Sequence, residues 1–282
     1  MSFEFSQPPS LGAALDALAG EDALPIAGGT ALVPRLRRRE VAPRLLVNVS
    51  RLPELRGVRA EGGGAAIGAA TTLSEVARSP EVRAVAPLLA DLCAGARSPQ
   101  IRNAATLGGC LLSGPDFAEP ALALLALDAR VTLRSRAGER EVAIADLLAD
   151  GAGLRPGELI VGVSLPPSAD ARFGLYRVAR REAIEPPLVA AAVCLRLGAS
   201  GAAEDVRICL GVATPQCLRL REVEAALRGG SVISPEAARR AVADVLSGIP
   251  LRPDVRAGEG YRRRVIPVAV ARSVEAALGR DR

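Results

Sequence analysis

The chain has 282 residues, with 36 basic and 31 acidic side chains, a formal charge of +5, 49% apolar and 24% charged residues. These proportions exclude a disordered or fibrous protein and leave room for two or three small domains or one large one. Every basic residue is Arg, and there is no Lys, His or Trp. That excludes a Schiff-base lysine, a Ser-His-Asp or Cys-His site and a lysine-type phosphate loop.

The first predicted element is a helix over Leu11–Leu18, capped by Ser10. Residues 24–27 read as a short buried strand that runs into Gly28-Gly29-Thr30 and then one or two helical turns over 31–39. Residues 45–49 and 65–70 read as strands, the second leading to Thr71-Thr72, with a helix at 74–78 capped by Thr72. A longer helix is predicted over 84–93, a second glycine turn at 106–109 and a strongly apolar helix over 118–127. Residues 130–134 and 140–144 suggest a hairpin around Ala137-Gly138, and 159–165 a strand ended by Pro166-Pro167. After residue 171 come two long strand-type runs, 189–197 and 206–212, joined as a hairpin. Helices follow at 220–227, 235–246 and 265–278, the middle one capped by Ser234 with Pro235 at its first position. The first 170 residues thus read as mixed α/β, and the remainder as α+β with helices on an antiparallel sheet.

The five cysteines, at 93, 110, 194, 209 and 217, form no CxxC pair. Their odd number and irregular spacing argue against a disulfide framework and against cluster ligation by this chain, and small buried thiols are expected. Met1-Ser2-Phe3-Glu4 has neither a basic n-region nor an apolar core, so no secretory leader is expected and the expected compartment is the cytoplasm. No apolar run is long enough to span a membrane. With two Tyr and four Phe there is little to stack on bases, and no nucleic-acid partner is expected.

Two glycine turns carry the chemistry. In Ala27-Gly28-Gly29-Thr30 and Thr106-Leu107-Gly108-Gly109 the missing Cβ atoms let successive N–H groups approach one oxyanion. Neither turn matches GxGxxG, so a Rossmann-type site is not indicated. Arg35, Arg37, Arg38 and Arg39 read as a solvated helix face, with a set facing phosphate or an acidic partner as the alternative. Thr71 and Thr72 read either as cofactor contacts or as a cap.

The ordered series Phe3-Glu4-Phe5, Ser10-Leu11, AGGT at 27–30, Pro34-Arg35-Leu36-Arg37, IGAATT at 67–72, QIRN at 100–103, TLGG at 106–109, ALLALDA at 123–129, PGELI at 156–160 and Tyr176 with Arg181 resembles the FAD-binding medium subunit of molybdenum hydroxylases, the group of xanthine dehydrogenase, aerobic carbon monoxide dehydrogenase and 4-hydroxybenzoyl-CoA reductase. The resemblance implies an α+β (mixed α/β) architecture: two FAD-binding subdomains, at 1–58 and 59–170, and a C-terminal antiparallel-sheet α+β domain at 171–282. It implies FAD as cofactor, and as partners a large subunit with a molybdenum cofactor and a small subunit with two [2Fe–2S] clusters, assembled as a dimer of heterotrimers. In that scheme electrons from the clusters leave through FAD to an external acceptor.

Carried over by position, the pyrophosphate loops fall on Ile26, Ala27, Gly28, Gly29, Thr30 and Ala31 and on Thr106, Gly108, Gly109 and Cys110. Flavin-side contacts fall on Glu119, Ile160 and Arg177. The resemblance is imperfect in four places. Ala31 replaces a polar residue, Cys110 an Asn, Glu119 an Asp and Arg177 a Lys. The first two changes remove side-chain hydrogen bonds, each worth about 0.5–1.5 kcal/mol. A structural subunit that has lost its flavin is therefore the alternative reading.

Overall fold

The computed structural model describes residues 3–117, 119–149, 154–168, 170–181, 185–199, 201–228 and 233–279. In chain order it begins with β1 (Glu4–Ser6), α1 (Leu11–Leu18), β2 (Ala23–Ile26), α2 (Leu32–Arg37) and β3 (Leu45–Asn48). These three strands form a parallel sheet in the order β1-β3-β2. Ser10 caps α1 by accepting the Ala13 N–H at 3.2 Å. The helix buries Leu11, Ala14, Leu15 and Leu18, at the i, i+3, i+4, i+7 spacing of an amphipathic helix, in a cluster with Val47, Val49 and Leu55.

Next come β4 (Val58–Glu61), β5 (Gly64–Gly68), α3 (Leu73–Arg78), α4 (Pro80–Val85), α5 (Pro87–Gly95), α6 (Pro99–Ala104) and α7 (Leu107–Leu111). After α8 (Glu119–Ala126) the chain forms β6 (Arg130–Ser135), β7 (Gly138–Ala143), α9 (Ile144–Leu148) and β8 (Leu159–Leu165). The five strands β4 to β8 make one antiparallel sheet in the order β4-β5-β8-β6-β7. The single helix predicted over 84–93 is two. Ala86 sits at φ −145°, ψ 59°, because Pro87 bars the residue before it from the helical region. Thr72 caps α3 in a reciprocal box with Glu75.

The last part holds β9 (Arg172–Val178), β10 (Val189–Leu197), β11 (Ala203–Gly211), β12 (Leu218–Arg219), α10 (Arg221–Leu227), α11 (Pro235–Val245) and α12 (Glu259–Ala277). Its antiparallel sheet runs β12-β11-β10-β9. The sheet has two differently built faces. Val189, Ala191, Val193 and Leu195 with Val206, Ile208 and Leu210 pack with the helices α10 to α12. The alternate positions are small, as at Ala190, Ala192 and Gly211. A Cβ on Gly211 would lie 3.4 Å from Leu122, which puts α8 against that face.

By contacts the chain divides into two units: Met1–Ser113 with Asp128–Pro167, and Gly114–Leu127 with Ser168–Arg282. The apolar helix at 118–127, which the sequence groups with the first 170 residues, thus contributes its described part, α8, to the second unit. α12 starts six residues before the predicted 265. Apolar periodicity misses this turn because Arg262 is fully buried, with Asp254 2.9 Å away and the carbonyls of Ala257 and Leu188 accepting from it. Two arginines hold the Asp254 carboxyl well below the usual carboxylate range against the opposing effect of burial.

Candidate functional site

In the first unit, β2 ends at Ile26 and the chain turns through Ala27 to Ala31 into α2. Gly28 is dictated by close approach, since a Cβ there would sit 1.8 Å from the Ala104 carbonyl oxygen at the end of α6. Gly29 is dictated by conformation, at φ +67°. Val33 closes the turn by donating its N–H to the Gly29 carbonyl at 2.9 Å. Among the described residues, the N–H groups of Gly28, Gly29, Thr30 and Ala31 have no acceptor within the chain. Four consecutive half-exposed donors require water or an anion.

The second turn is wired differently. Thr106 caps α7, its hydroxyl accepting from Gly109 N–H at 3.3 Å. Leu107 N–H donates to Thr71 O and Gly108 N–H to Ala69 O, each at 2.9 Å, and Cys110 N–H to Thr106 O at 3.0 Å. The sequence suggests two equivalent sets of amides, but the donors of this turn already hold it in place. Gly108 is needed for packing, since a Cβ there would lie 2.8 Å from that of Ala69.

Both turns border one cavity of about 250 Å³. Of the residues singled out from sequence, Ile26, Ala27, Gly28, Gly29, Thr30 and Ala31 line it from the first turn, and Thr106, Gly108, Gly109 and Cys110 from the second; Ile160 lines it from β8. The rest of the lining is largely apolar, including Val49, Leu55 and Leu159. Ile160 is held by the turn before it: Glu158 takes two hydrogen bonds of 2.7 Å from the Arg140 guanidinium and one of 2.7 Å from Arg155 N–H. The Arg140 hydrogen bonds keep the Glu158 carboxyl below its ordinary range.

Glu119 and Arg177 are not brought to this lining. They belong to the second unit, where Arg177 Nε donates to Glu119 Oε1 at 2.6 Å and the Glu119 side chain is buried. Each supplies the other's charge, the usual condition for burying a carboxylate. Thr71 and Thr72 do not line the cavity: Thr72 is the α3 cap, and the Thr71 hydroxyl bonds both the N–H and the carbonyl of Gly57. Leu112, Ser113 and Leu154 line the cavity and were not singled out from sequence; of the basic run read first as a solvated helix face, Arg35 lines it too. The available signal was helical: Arg35 stands one turn after Ala31.

All five cysteines are buried, and none is in a disulfide. Burial pushes the Cys110 thiol up to about 12, so it lines the cavity as a neutral, unreactive group. Among the described residues no cluster of His, Cys, Asp or Glu is arranged to hold a metal ion. No helix among them is long and apolar enough to cross a membrane.

Comparison with known proteins gives this site its context. Residues 1–168 match the family described as the FAD binding domain in molybdopterin dehydrogenase. Residues 174–277 match the CO dehydrogenase flavoprotein C-terminal domain. The chain belongs to this flavoprotein family. It is 34% identical to the 6-hydroxypseudooxynicotine dehydrogenase complex subunit alpha of Paenarthrobacter nicotinovorans, over 100% of this chain and 96% of that one. It is 31% identical to the carbon monoxide dehydrogenase medium chain of Hydrogenophaga pseudoflava, over 99% and 98%. The solved carbon monoxide dehydrogenase of Hydrogenophaga pseudoflava, in a form lacking the Mo-pyranopterin moiety of its molybdenum cofactor, matches with a TM-score of 0.91 and 31% identity, over 100% of this chain and 99% of that one. The flavoprotein is thus an FAD-binding medium subunit of a multi-subunit molybdenum-dependent oxidoreductase.

The first unit suits that cofactor. Four unpaired amides answer a pyrophosphate, two glycines leave the backbone bare there, and apolar side chains line the remainder of the cavity.

Proposed function

We propose that this flavoprotein is the exit station for electrons in a complex of three kinds of subunit. A molybdenum-cofactor subunit oxidises the substrate, a subunit with two [2Fe–2S] clusters relays the electrons, and this chain delivers them to an external acceptor from the cytoplasmic side of metabolism, as a dimer of heterotrimers. The absence of Lys and His fits a chain that contributes placement and electrostatics rather than proton transfer. FAD, when bound, supplies the hydride and single-electron chemistry.

The residues of the chain have separable tasks in this reading. Gly28 to Ala31 present their amides to the pyrophosphate, Thr106 to Cys110 form the small-residue surface opposite, and Ile160 offers an apolar contact to the ring system. Glu119 and Arg177 hold each other in place by their ion pair within the second unit. The reading keeps two FAD-binding subdomains, at 1–58 and 59–170, and the presence of two separate sheets in the first unit supports it.

The observation that carries the reading is the run of four amides without an acceptor, opening on an apolar cavity. The test is the visible spectrum and extracted flavin content of the complex purified from its native source. About one FAD per copy of this chain is expected. A folded complex without flavin bands would favour the structural-subunit alternative raised by Ala31 and Cys110.

A further inference from the structure

Among the described residues, Arg35 is the one charged side chain that lines the cavity. It stands on α2 four residues after Ala31, the residue that caps the start of that short helix. Ala31 has no side-chain group to offer a ligand, and its small size leaves the space beside the open amides to a longer neighbour. The Arg35 side chain is 47% exposed, and its ion pair is loose: Glu40 lies 3.7 Å away. Glu40 is engaged more closely by Arg38, at 2.5 Å. The Arg35 guanidinium is therefore the charge of this basic run that is placed at the cavity and only lightly held by protein, whereas Arg37, Arg38 and Arg39 do not line it.

We infer that Arg35 is a cofactor-binding residue that supplies the counter-charge for the pyrophosphate cradled by the amides of Gly28 to Ala31. The inference rests on the assignment of this cavity to FAD. The amides are neutral donors, and a pyrophosphate brings two negative charges into a cavity whose other lining groups are uncharged. A guanidinium at its edge neutralises part of that charge and offers hydrogen bonds in a planar fork. It also stands in for the polar group missing at position 31, from one helical turn away.

The test is FAD titration into the deflavinated whole complex, followed by flavin fluorescence at low and high salt, for wild type, Arg35→Gln, Arg35→Lys and Arg38→Gln. Arg35→Gln is expected to weaken FAD about ten- to a hundredfold, the range of a charge-assisted hydrogen bond, and to flatten the salt dependence. Arg35→Lys should recover part of the affinity and the salt dependence. Arg38→Gln removes the same charge outside the cavity and should stay within about twofold of wild type. Arg35→Gln binding FAD as wild type does, or Arg38→Gln weakening it equally, would overturn the inference, the second by showing only a diffuse field. Arg35→Lys as weak as Arg35→Gln, with no salt dependence, would also overturn it. Failure of the wild-type complex to bind FAD would be a different result, removing the cavity's assignment and this role with it.

Discussion

The turns at 27–31 and 106–110 share a Gly-Gly pair, a threonine and a place on the same cavity, yet they are built for different work. In the first, the glycines serve two separate ends, close approach at Gly28 and a left-handed backbone at Gly29, and four amides are left without protein acceptors. In the second, the amides of Leu107, Gly108, Gly109 and Cys110 are all spoken for. The glycine there matters because it is small against Ala69. A glycine pair therefore does not by itself make an anion cradle. What makes one is the absence of competing acceptors.

The largest effect is expected from Gly28→Ala, where the added Cβ meets a backbone carbonyl at 1.8 Å and no side-chain motion relieves it. Overpacking of this kind costs about 1–3 kcal/mol or more. Both a lowered Tm and loss of flavin are expected, while Gly108→Ala, which meets the Ala69 methyl at 2.8 Å and the Ala69 carbonyl oxygen only at 3.1 Å, should lose less of each. Equal losses in the two variants would erase the contrast between the turns.

Gly29→Val comes next. It forces a β-branched residue to φ +67°, and a left-handed conformation costs about 1–2 kcal/mol even before branching is counted. Flavin content should fall to near zero with the far-UV circular dichroism largely kept. Gly109→Val at the exposed position of the other turn should lose flavin through bulk and through its 2.9 Å approach to Thr106 Oγ1, with a smaller fall in affinity. A Gly109→Val protein that binds FAD worse than Gly29→Val would reverse the assignment of the two turns.

Thr106→Val probes the wiring of the second turn directly. It removes the cap on Gly109 N–H, worth typically ~1 kcal/mol, so thermal unfolding should shift down by a few degrees. FAD affinity should change by less than about threefold, because the open amides of the first turn are untouched. A large loss of flavin with unchanged Tm would show that the Thr106 hydroxyl serves the ligand instead.

Cys110→Asn is expected to act in the opposite direction. The thiol is a weak donor and acceptor, and an amide facing the cavity adds one hydrogen bond. FAD should bind about 2- to 13-fold more tightly, equivalent to about 0.5–1.5 kcal/mol. Weaker binding would mean that the wall has been packed around sulfur.

Local signals were sufficient wherever the interaction was local. Ser10, Thr72 and Ser234 were legible as caps because the bond they make spans three residues. The hairpin at 130–143 and the strand Leu159–Leu165 followed from alternation and turn residues. The ordered motifs were enough to mark Ile26 to Ala31, Thr106, Gly108 to Cys110 and Ile160 as a set, and the fold brings that set to one cavity. Tertiary structure alone decided the rest. The amides of Leu107 and Gly108 find their acceptors at Thr71 and Ala69, far away in sequence, and no reading of TLGG reveals that. Arg262 could be recognised as helical and buried only once Asp254 was folded beside it. Arg35 and Arg38 are alike as letters, and only the orientation of α2 separates the one that lines the cavity from the one that does not. The chain's own periodicities choose its elements, because helices and strands are held by near neighbours. Which donors stay free, and which charges face a ligand, depends on partners that folding alone brings together.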